Sequence, residues 1–293
     1  MSLTSFSLVM LAGLIHAGWN IVAKKTGGDA RFACFVAVLM MLVWAPLAWW
    51  FGRTELPRWG ATEWGFVVAS GLLHVVYFVV LLRGYRKADL TVVYPLARGS
   101  GPLLSSLVAI TFLGEQISAL GAAGIAGVVG GVFLIAGGPG LFRAARDPLA
   151  RARVHKGVLY GLLTGTFIAS YTVVDGYAVK WLLMSPILVD YMGNFVRVAL
   201  LAPSVLRDRT AALGLWRVQW RAALVVALFS PVAYVLVLYA MKTAPLSHVA
   251  PAREVSMLFA ALIGGHLLGE GDRTLRLLGA LCIAAGVVAL GLG

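Results

Sequence analysis

Apolar stretches long enough to cross a bilayer recur from one end of this chain to the other, separated by connections that hold most of its charge. About 20 consecutive apolar residues cross the hydrocarbon as a helix. Ten such stretches fit into the 293 residues, at 3–23, 31–51, 62–82, 91–113, 118–138, 157–179, 184–206, 222–241, 247–268 and 275–292. A soluble domain with one anchor would gather its apolar residues in one place, whereas here a mean hydropathy of +0.90 extends over the whole length. The spans of a membrane β-barrel would alternate in blocks of about ten, and these runs do not. The expected class is an all-α polytopic membrane protein with ten transmembrane helices, since in lipid a helix satisfies every backbone N–H and C=O within its own segment. The first run has no basic region before it and no small-residue cleavage site after it, so it reads as a retained span.

The connections 139–156 and 207–221 are longer and more polar than the others, and the first divides the chain into similar halves. At an offset of 155 residues, the window 97–134 has 11 identities in 38 positions with the second half. They include Arg98 with Arg253, Gly124 with Gly279, Gly131 with Gly286, and Leu-Gly-Glu at 113–115 with the same triplet at 268–270. Five crossings per half is an odd number, so the second copy enters the membrane from the opposite side. The expected organisation is a first five-helix repeat at 1–138, a connecting loop at 139–156 and a second, inverted repeat at 157–293, the arrangement of many alternating-access carriers.

A net charge of +12 would suggest nucleic acid in a soluble chain. Here the basic residues flank apolar runs, where membrane orientation accounts for them, and no nucleic-acid partner is expected. The loops after odd-numbered crossings, together with Arg31 and Arg276 at the span ends that border them, hold 17 of the 24 Lys and Arg, and the opposite side holds Arg53, Arg58, Lys180 and Lys242. The charge bias therefore puts the odd-numbered loops in the cytoplasm and both termini outside, in a bacterial inner membrane. Trp44, Trp49, Trp50, Trp59, Trp64, Trp181, Trp216 and Trp220 cluster at span boundaries and read as interface anchors.

Charge within a span is costly and normally faces the bundle interior. Arg98 lies in the fourth crossing and Arg253 in the ninth, each shortly after a proline, Pro95 and Pro251. Matched arginines on two bent helices would bring positive charge to both sides of one central cavity and bind an anion or carboxylate. The other reading has each Arg snorkel to an interface or satisfy carbonyls freed in its own helix. Glu254 could meet Arg98 from the facing helix or act as a proton acceptor. His16 and Asn20 are four residues apart with Trp19 beside them, while His74, Tyr77 and Tyr85 share a face of the third crossing. Thr164, Ile168, Tyr171 and Asp175 form a helical stripe on the sixth. Such mixed faces suit a wet cavity that stacks and hydrogen-bonds a small organic molecule, although each polar group also has the plainer role of an interhelical hydrogen bond.

No phosphate-binding loop, zinc-protease motif or nucleophile elbow is present, so neither ATPase nor hydrolase chemistry is expected. Cys34 and Cys282 lie far apart in apolar runs without metal-ligand spacing, and no metal or cofactor is implied. Gly121, Gly124, Gly127, Gly130 and Gly131, with Gly279 and Gly286, allow close helix approach. In Leu113-Gly114-Glu115 and Leu268-Gly269-Glu270 the glycine suits a left-handed helix termination. The glutamate is then expected at the surface, capping the helix that follows.

Ten crossings in two halves, the paired segments LGEQISALGAAGIAGVVGGVFLI and LGEGDRTLRLLGALCIAAGVVAL, and the opening AGWNIVAKK together resemble the EamA-type branch of the drug/metabolite transporter superfamily. The resemblance covers essentially the whole chain. It implies a secondary carrier, most simply an exporter of a small metabolite such as an amino acid or organophosphonate, working by alternating access rather than by catalysis. It further implies a cavity lined by crossings one, three, four, six, eight and nine. The residues it carries over are His16, Trp19, Asn20, His74, Tyr77, Tyr94, Arg98, Tyr171, Tyr234 and Arg253, with Glu254 and Asp175 for proton coupling. The fifth and tenth crossings would be peripheral, at a homodimer contact. Two features depart from the family habit: arginines inside crossings four and nine, and a charge bias opposite to termini in the cytoplasm. HAGWN also resembles a subgroup associated with phosphonate utilisation. Functions of another class are movement of a lipid headgroup, or a scaffold with no soluble substrate; lipids are partners on any reading.

Overall fold

A computed structural model of the chain describes residues 1–88, 90–135, 148–264 and 273–293. The described residues are helical almost throughout. In chain order the helices are α1 (Leu3–Thr26), α2 (Ala30–Glu55), α3 (Ala61–Lys87), α4 (Leu90–Phe112) and α5 (Ala119–Ile135). They continue as α6 (Pro148–Lys180), α7 (Pro186–Leu206), α8 (Arg209–Thr243), α9 (Leu246–Ala252), α10 (Val255–Gly264) and α11 (Arg273–Leu292). The chain is a multi-helix membrane protein. Among the described residues five helices, α1, α2 with the short 3₁₀ turn after it, α3, most of α6, and α8, are long and apolar enough to cross a bilayer by length and composition alone.

Local chemistry explains the helix ends. The Asp29 carboxylate caps α2 by accepting from the N–H groups of Arg31 and Phe32, at 2.9 and 3.3 Å. Gly27 and Gly114, with φ of +58° and +70°, turn the chain after α1 and α4 in the conformation that a Cβ disfavours. Asp208 caps α8 through the N–H of Ala211, at 2.9 Å. The 207–221 connection expected from its polarity is therefore mostly helix, and α8 runs for 35 residues. Polarity marked where the membrane ends, and a capped segment rich in good helix formers simply continues past it. α6 likewise begins at Pro148, nine residues before the expected boundary.

The ninth crossing is also different from expectation, because it is two helices meeting at Arg253 and Glu254. Pro251 has no N–H for the Ser247 carbonyl. Beyond it the backbone steps by three residues: Glu254 N donates to Pro251 O, Ser256 N to Arg253 O and Met257 N to Glu254 O, at 2.9, 3.2 and 2.8 Å. Two charged side chains leave the backbone at this tightened turn.

Helices from the two halves interleave. α1 packs on α8 and α10, as α6 packs on α3 and α4; α2 packs on α7 and α8, and α3 on α7. α5 packs on α11, where a Cβ added at Gly131 would lie 2.5 Å from the Gly279 carbonyl and one at Gly286 2.7 Å from the Gly124 carbonyl. The glycines expected to allow close helix approach do so between α5 and α11 of the same chain.

The tightest packing lies toward the end of the bundle that holds the chain termini. Val9, Val67, Ala109, Ala178, Val237, Met241 and Leu246 belong to one buried cluster there. Toward the opposite end α1 has no buried residue from Trp19 to Thr26, and α3 has only Gly84 from His74 to Lys87. A polar knot ties the tight end. Glu115 accepts from the N–H groups of Leu246 and Ser247, at 2.8 and 2.9 Å, and from Lys180 Nζ at 2.9 Å. Glu115 was expected at the surface, capping the following helix. Its side chain is instead buried and caps α9 of the other half, because the Gly114 turn directs it inward. The second triplet, at 268–270, lies outside the described residues.

Candidate functional site

α4 and the α9–α10 turn bring both predicted arginines to one carboxylate. Arg98 Nε lies 3.0 Å from Glu254 Oε2, and Arg98 Nη2 donates to Ser256 Oγ at 3.0 Å. Arg253 Nε is 4.0 Å from Glu254 Oε1. Arg253 is 6% exposed and Glu254 1%, so water screens little of this charge. The ion pairs are not aligned hydrogen bonds: Nε of each arginine and both oxygens of Glu254 have no hydrogen-bond partner among the described residues. The Ser247 carbonyl freed by Pro251 is taken by Ser106 Oγ at 3.0 Å. Arg253 is therefore not spent on its own helix's broken backbone, which was one of the two sequence readings.

Four rings stand beside the arginines. His74 stacks on Tyr171 with centroids 4.1 Å apart and planes at 26°, and its edge meets Tyr234 at 5.6 Å. Tyr77 meets Tyr171 at 5.6 Å. The field of Arg253 reaches His16, His74, Tyr77 and Tyr234, and that of Arg98 reaches Tyr94 and Tyr171. Residues from α1, α3, α4, α6 and α8 thus converge on the α9–α10 turn. His74 Nδ1 donates to the Ser70 carbonyl at 2.8 Å, which assigns a proton to Nδ1.

The helical stripe on α6 is its buried face, with Thr164, Ile168, Tyr171 and Asp175 all buried. Asp175 is fully enclosed. Its Oδ2 accepts from the Tyr234 hydroxyl, while Oδ1 has no hydrogen-bond partner of good geometry among the described residues. His16 lies edge-on to Trp19 with centroids 4.7 Å apart, and the buried Trp19 Nε1 has no hydrogen-bond partner among the described residues. Asn20 is half-buried and makes no side-chain hydrogen bond among the described residues.

The sequence reading missed a second buried charge cluster, on α7. Arg197 donates to Asp190 Oδ1 at 3.2 Å and to Asn194 Oδ1 at 3.3 Å. Asp190 and Asn194 border a cavity of about 10 Å³ with Trp44, Tyr191 and Pro231, room for about one water. Their spacing of four and three residues along one helix face was the available signal. Trp44, expected at the interface, instead donates to Ala227 O at 3.0 Å, the carbonyl that Pro231 leaves bare four residues later. Trp49, Trp50, Trp64, Trp181 and Trp220 are exposed, as interface anchors would be.

A family model described as the EamA-like transporter family matches twice, over residues 3–137 and 155–292. No curated protein matches the chain. A solved structure described only as the crystal structure of a protein is similar over 99% of this chain and 98% of its own, with a TM-score of 0.75. At 15% identity that likeness is one of fold. With both halves matched end to end, the chain belongs to the EamA-like transporter family, within the drug/metabolite transporter superfamily.

Proposed function

We propose that this protein is a secondary carrier that moves a small organic anion or zwitterion outward across a bacterial inner membrane by alternating access. The observation that carries this reading is the buried turn at Arg253 and Glu254. Two guanidinium groups share one carboxylate there, which leaves one cation uncompensated beside a wall of His74, Tyr77, Tyr171 and Tyr234. A carboxylate or phosphonate satisfies the free guanidinium, and the rings take the apolar part of the molecule. Asp175, and Glu254 itself, supply proton coupling. His16, Trp19, Asn20 and Tyr94 complete the lining.

The reading includes two inverted repeats, 1–138 and 157–293. It is supported by the double family match and by helix pairs that come in exchanged sets, α1 on α8 with α6 on α3, and α1 on α10 with α6 on α4. Packing tight at one end and loose at the other suits a carrier open toward the loops after odd-numbered crossings.

The test is uptake into proteoliposomes over a panel of amino acids, nucleosides and organophosphonates, with and without a pH gradient and without ATP. Arg253→Gln should fold normally and bind an anionic substrate about tenfold or more weakly, since a charge-assisted hydrogen bond is worth about 1.5–3 kcal/mol. Arg98→Gln should lose stability as well, because it strips the nearer cation from a buried carboxylate. No transport of any panel member by folded protein, or equal affinity in wild type and Arg253→Gln, sinks the anion reading. Movement of a lipid headgroup instead of a soluble substrate would replace it.

A further inference from the structure

We propose that Glu254 sets the charge of the anion the site accepts: a singly charged anion enters with Glu254 ionised, and a doubly charged one enters only with a proton that Glu254 takes up. The inference rests on the anion-carrier reading and names what that site selects. Arg98 and Arg253 are permanent cations. With Glu254 ionised the three groups sum to one positive charge, in a place where Arg253 and Glu254 are both more than nine-tenths buried.

Uncompensated charge in such surroundings is costly. A monoanion brings the loaded site to neutrality. A dianion leaves a net negative charge unless one proton arrives with it. Both carboxylate oxygens of Glu254 lack hydrogen-bond partners among the described residues, so either can receive that proton and donate it in a hydrogen bond to the ligand. The loaded site is then neutral for either ligand, and both would cross the membrane core against a similar barrier.

Other titratable groups face the same space. They are His16 on α1, His74, Tyr77 and Tyr85 on α3, Tyr94 and Arg98 on α4, Tyr171 and Asp175 on α6, the Arg197–Asp190 pair on α7, and Tyr234 on α8. α5 carries no titratable side chain, and among its described side chains α11 carries Cys282. Asp175 and the two histidines are the competing proton acceptors. Each would still take up a proton after Glu254 is replaced.

The experiment is titration calorimetry of purified protein at one pH in buffers of different ionisation enthalpy. Benzenesulfonate serves as a fixed monoanion and phenylphosphonate, at a pH where it is free as the dianion, as its divalent counterpart. Wild type should bind phenylphosphonate with uptake of about one proton and benzenesulfonate with none. Glu254→Gln should bind phenylphosphonate with no uptake and about tenfold more tightly at alkaline pH, where wild type must capture a scarce proton. Arg253→Gln should lose benzenesulfonate binding, and adding Glu254→Gln to it should restore part of that binding by returning the site to one net positive charge. Absence of uptake in wild type overturns the proposal without needing any variant. Undiminished uptake in Glu254→Gln overturns it too, by assigning the proton to the ligand or to another residue. If wild type binds neither probe, the anion reading itself fails and takes this inference with it.

Discussion

A proline leaves the carbonyl four residues before it without a partner, and at two places this chain fills the gap from another helix. Ser106 reaches the Ser247 carbonyl under Pro251, and the Trp44 indole reaches the Ala227 carbonyl under Pro231. An unsatisfied buried carbonyl costs about 1–3 kcal/mol. Ser106→Ala and Trp44→Phe should therefore each lower thermal stability in detergent by an amount in that range, read from the unfolding midpoint. An unchanged midpoint in both would mean the carbonyls find other partners. Glu115 makes a prediction of a different kind. Burial pushes its carboxyl up, but the Ser247 and Leu246 N–H groups and Lys180 outweigh that and hold it below the usual carboxylate range. A carboxyl depressed on folding stabilises above its unfolded value, and that contribution is lost as pH falls through the depressed folded value. Wild type should lose stability on acidification through this window, and Glu115→Gln should be less stable at pH 7 with a flatter acid limb.

At the scale of elements, the α5–α11 seam is held by close approach rather than by hydrophobicity, since lipid tails are as apolar as the side chains they would replace. Two reciprocal glycine pairs set the distance. A Cβ at Gly124 would sit 2.8 Å from the Gly286 carbonyl, and one at Gly279 2.7 Å from the Gly131 carbonyl. Backbone cannot move aside as a flexible side chain can, so Gly131→Ala should separate the helices and cost about 1–3 kcal/mol, as overpacking does. Gly130 lies one residue away, with nothing within 4 Å of its added Cβ. Gly130→Ala should be neutral or mildly stabilising, because alanine favours helix. Equal midpoints for the two variants in a thermal melt would remove the seam from the account of stability.

For the whole molecule, the charge bias and the family habit disagree about which side the termini occupy, and the bias of 17 basic residues against 4 is the physical quantity. We expect the termini outside. In a Cys34→Ala, Cys282→Ala background, Thr62→Cys should react with an impermeant maleimide in intact cells, whereas Gly214→Cys should react only after permeabilisation. The reverse pattern would place the termini in the cytoplasm and reverse the side to which the looser end opens. Both positions are exposed, so a failure to label reflects the membrane and not burial.

Periodic apolar runs, the 155-residue offset and the arginines inside spans were legible in the sequence because the bilayer imposes length and polarity on each segment separately. The buried stripe of Thr164, Ile168, Tyr171 and Asp175 followed from helix period alone. Partnerships across the bundle were not legible, because local pattern says which face is buried but not which helix covers it. Glu115 reaches α9 across 131 residues, and Trp44 reaches Ala227 across 183. The break at Arg253 and Glu254 was decided in the same way. Pro251 marked a weak point that sequence could name, but the helix opened into two pieces where Ser106 could satisfy the freed carbonyl and Arg98 could meet the buried carboxylate of Glu254. Composition and period determined that helices would span a membrane, while only tertiary packing could decide which buried charges meet and that two guanidinium groups share the one carboxylate of Glu254.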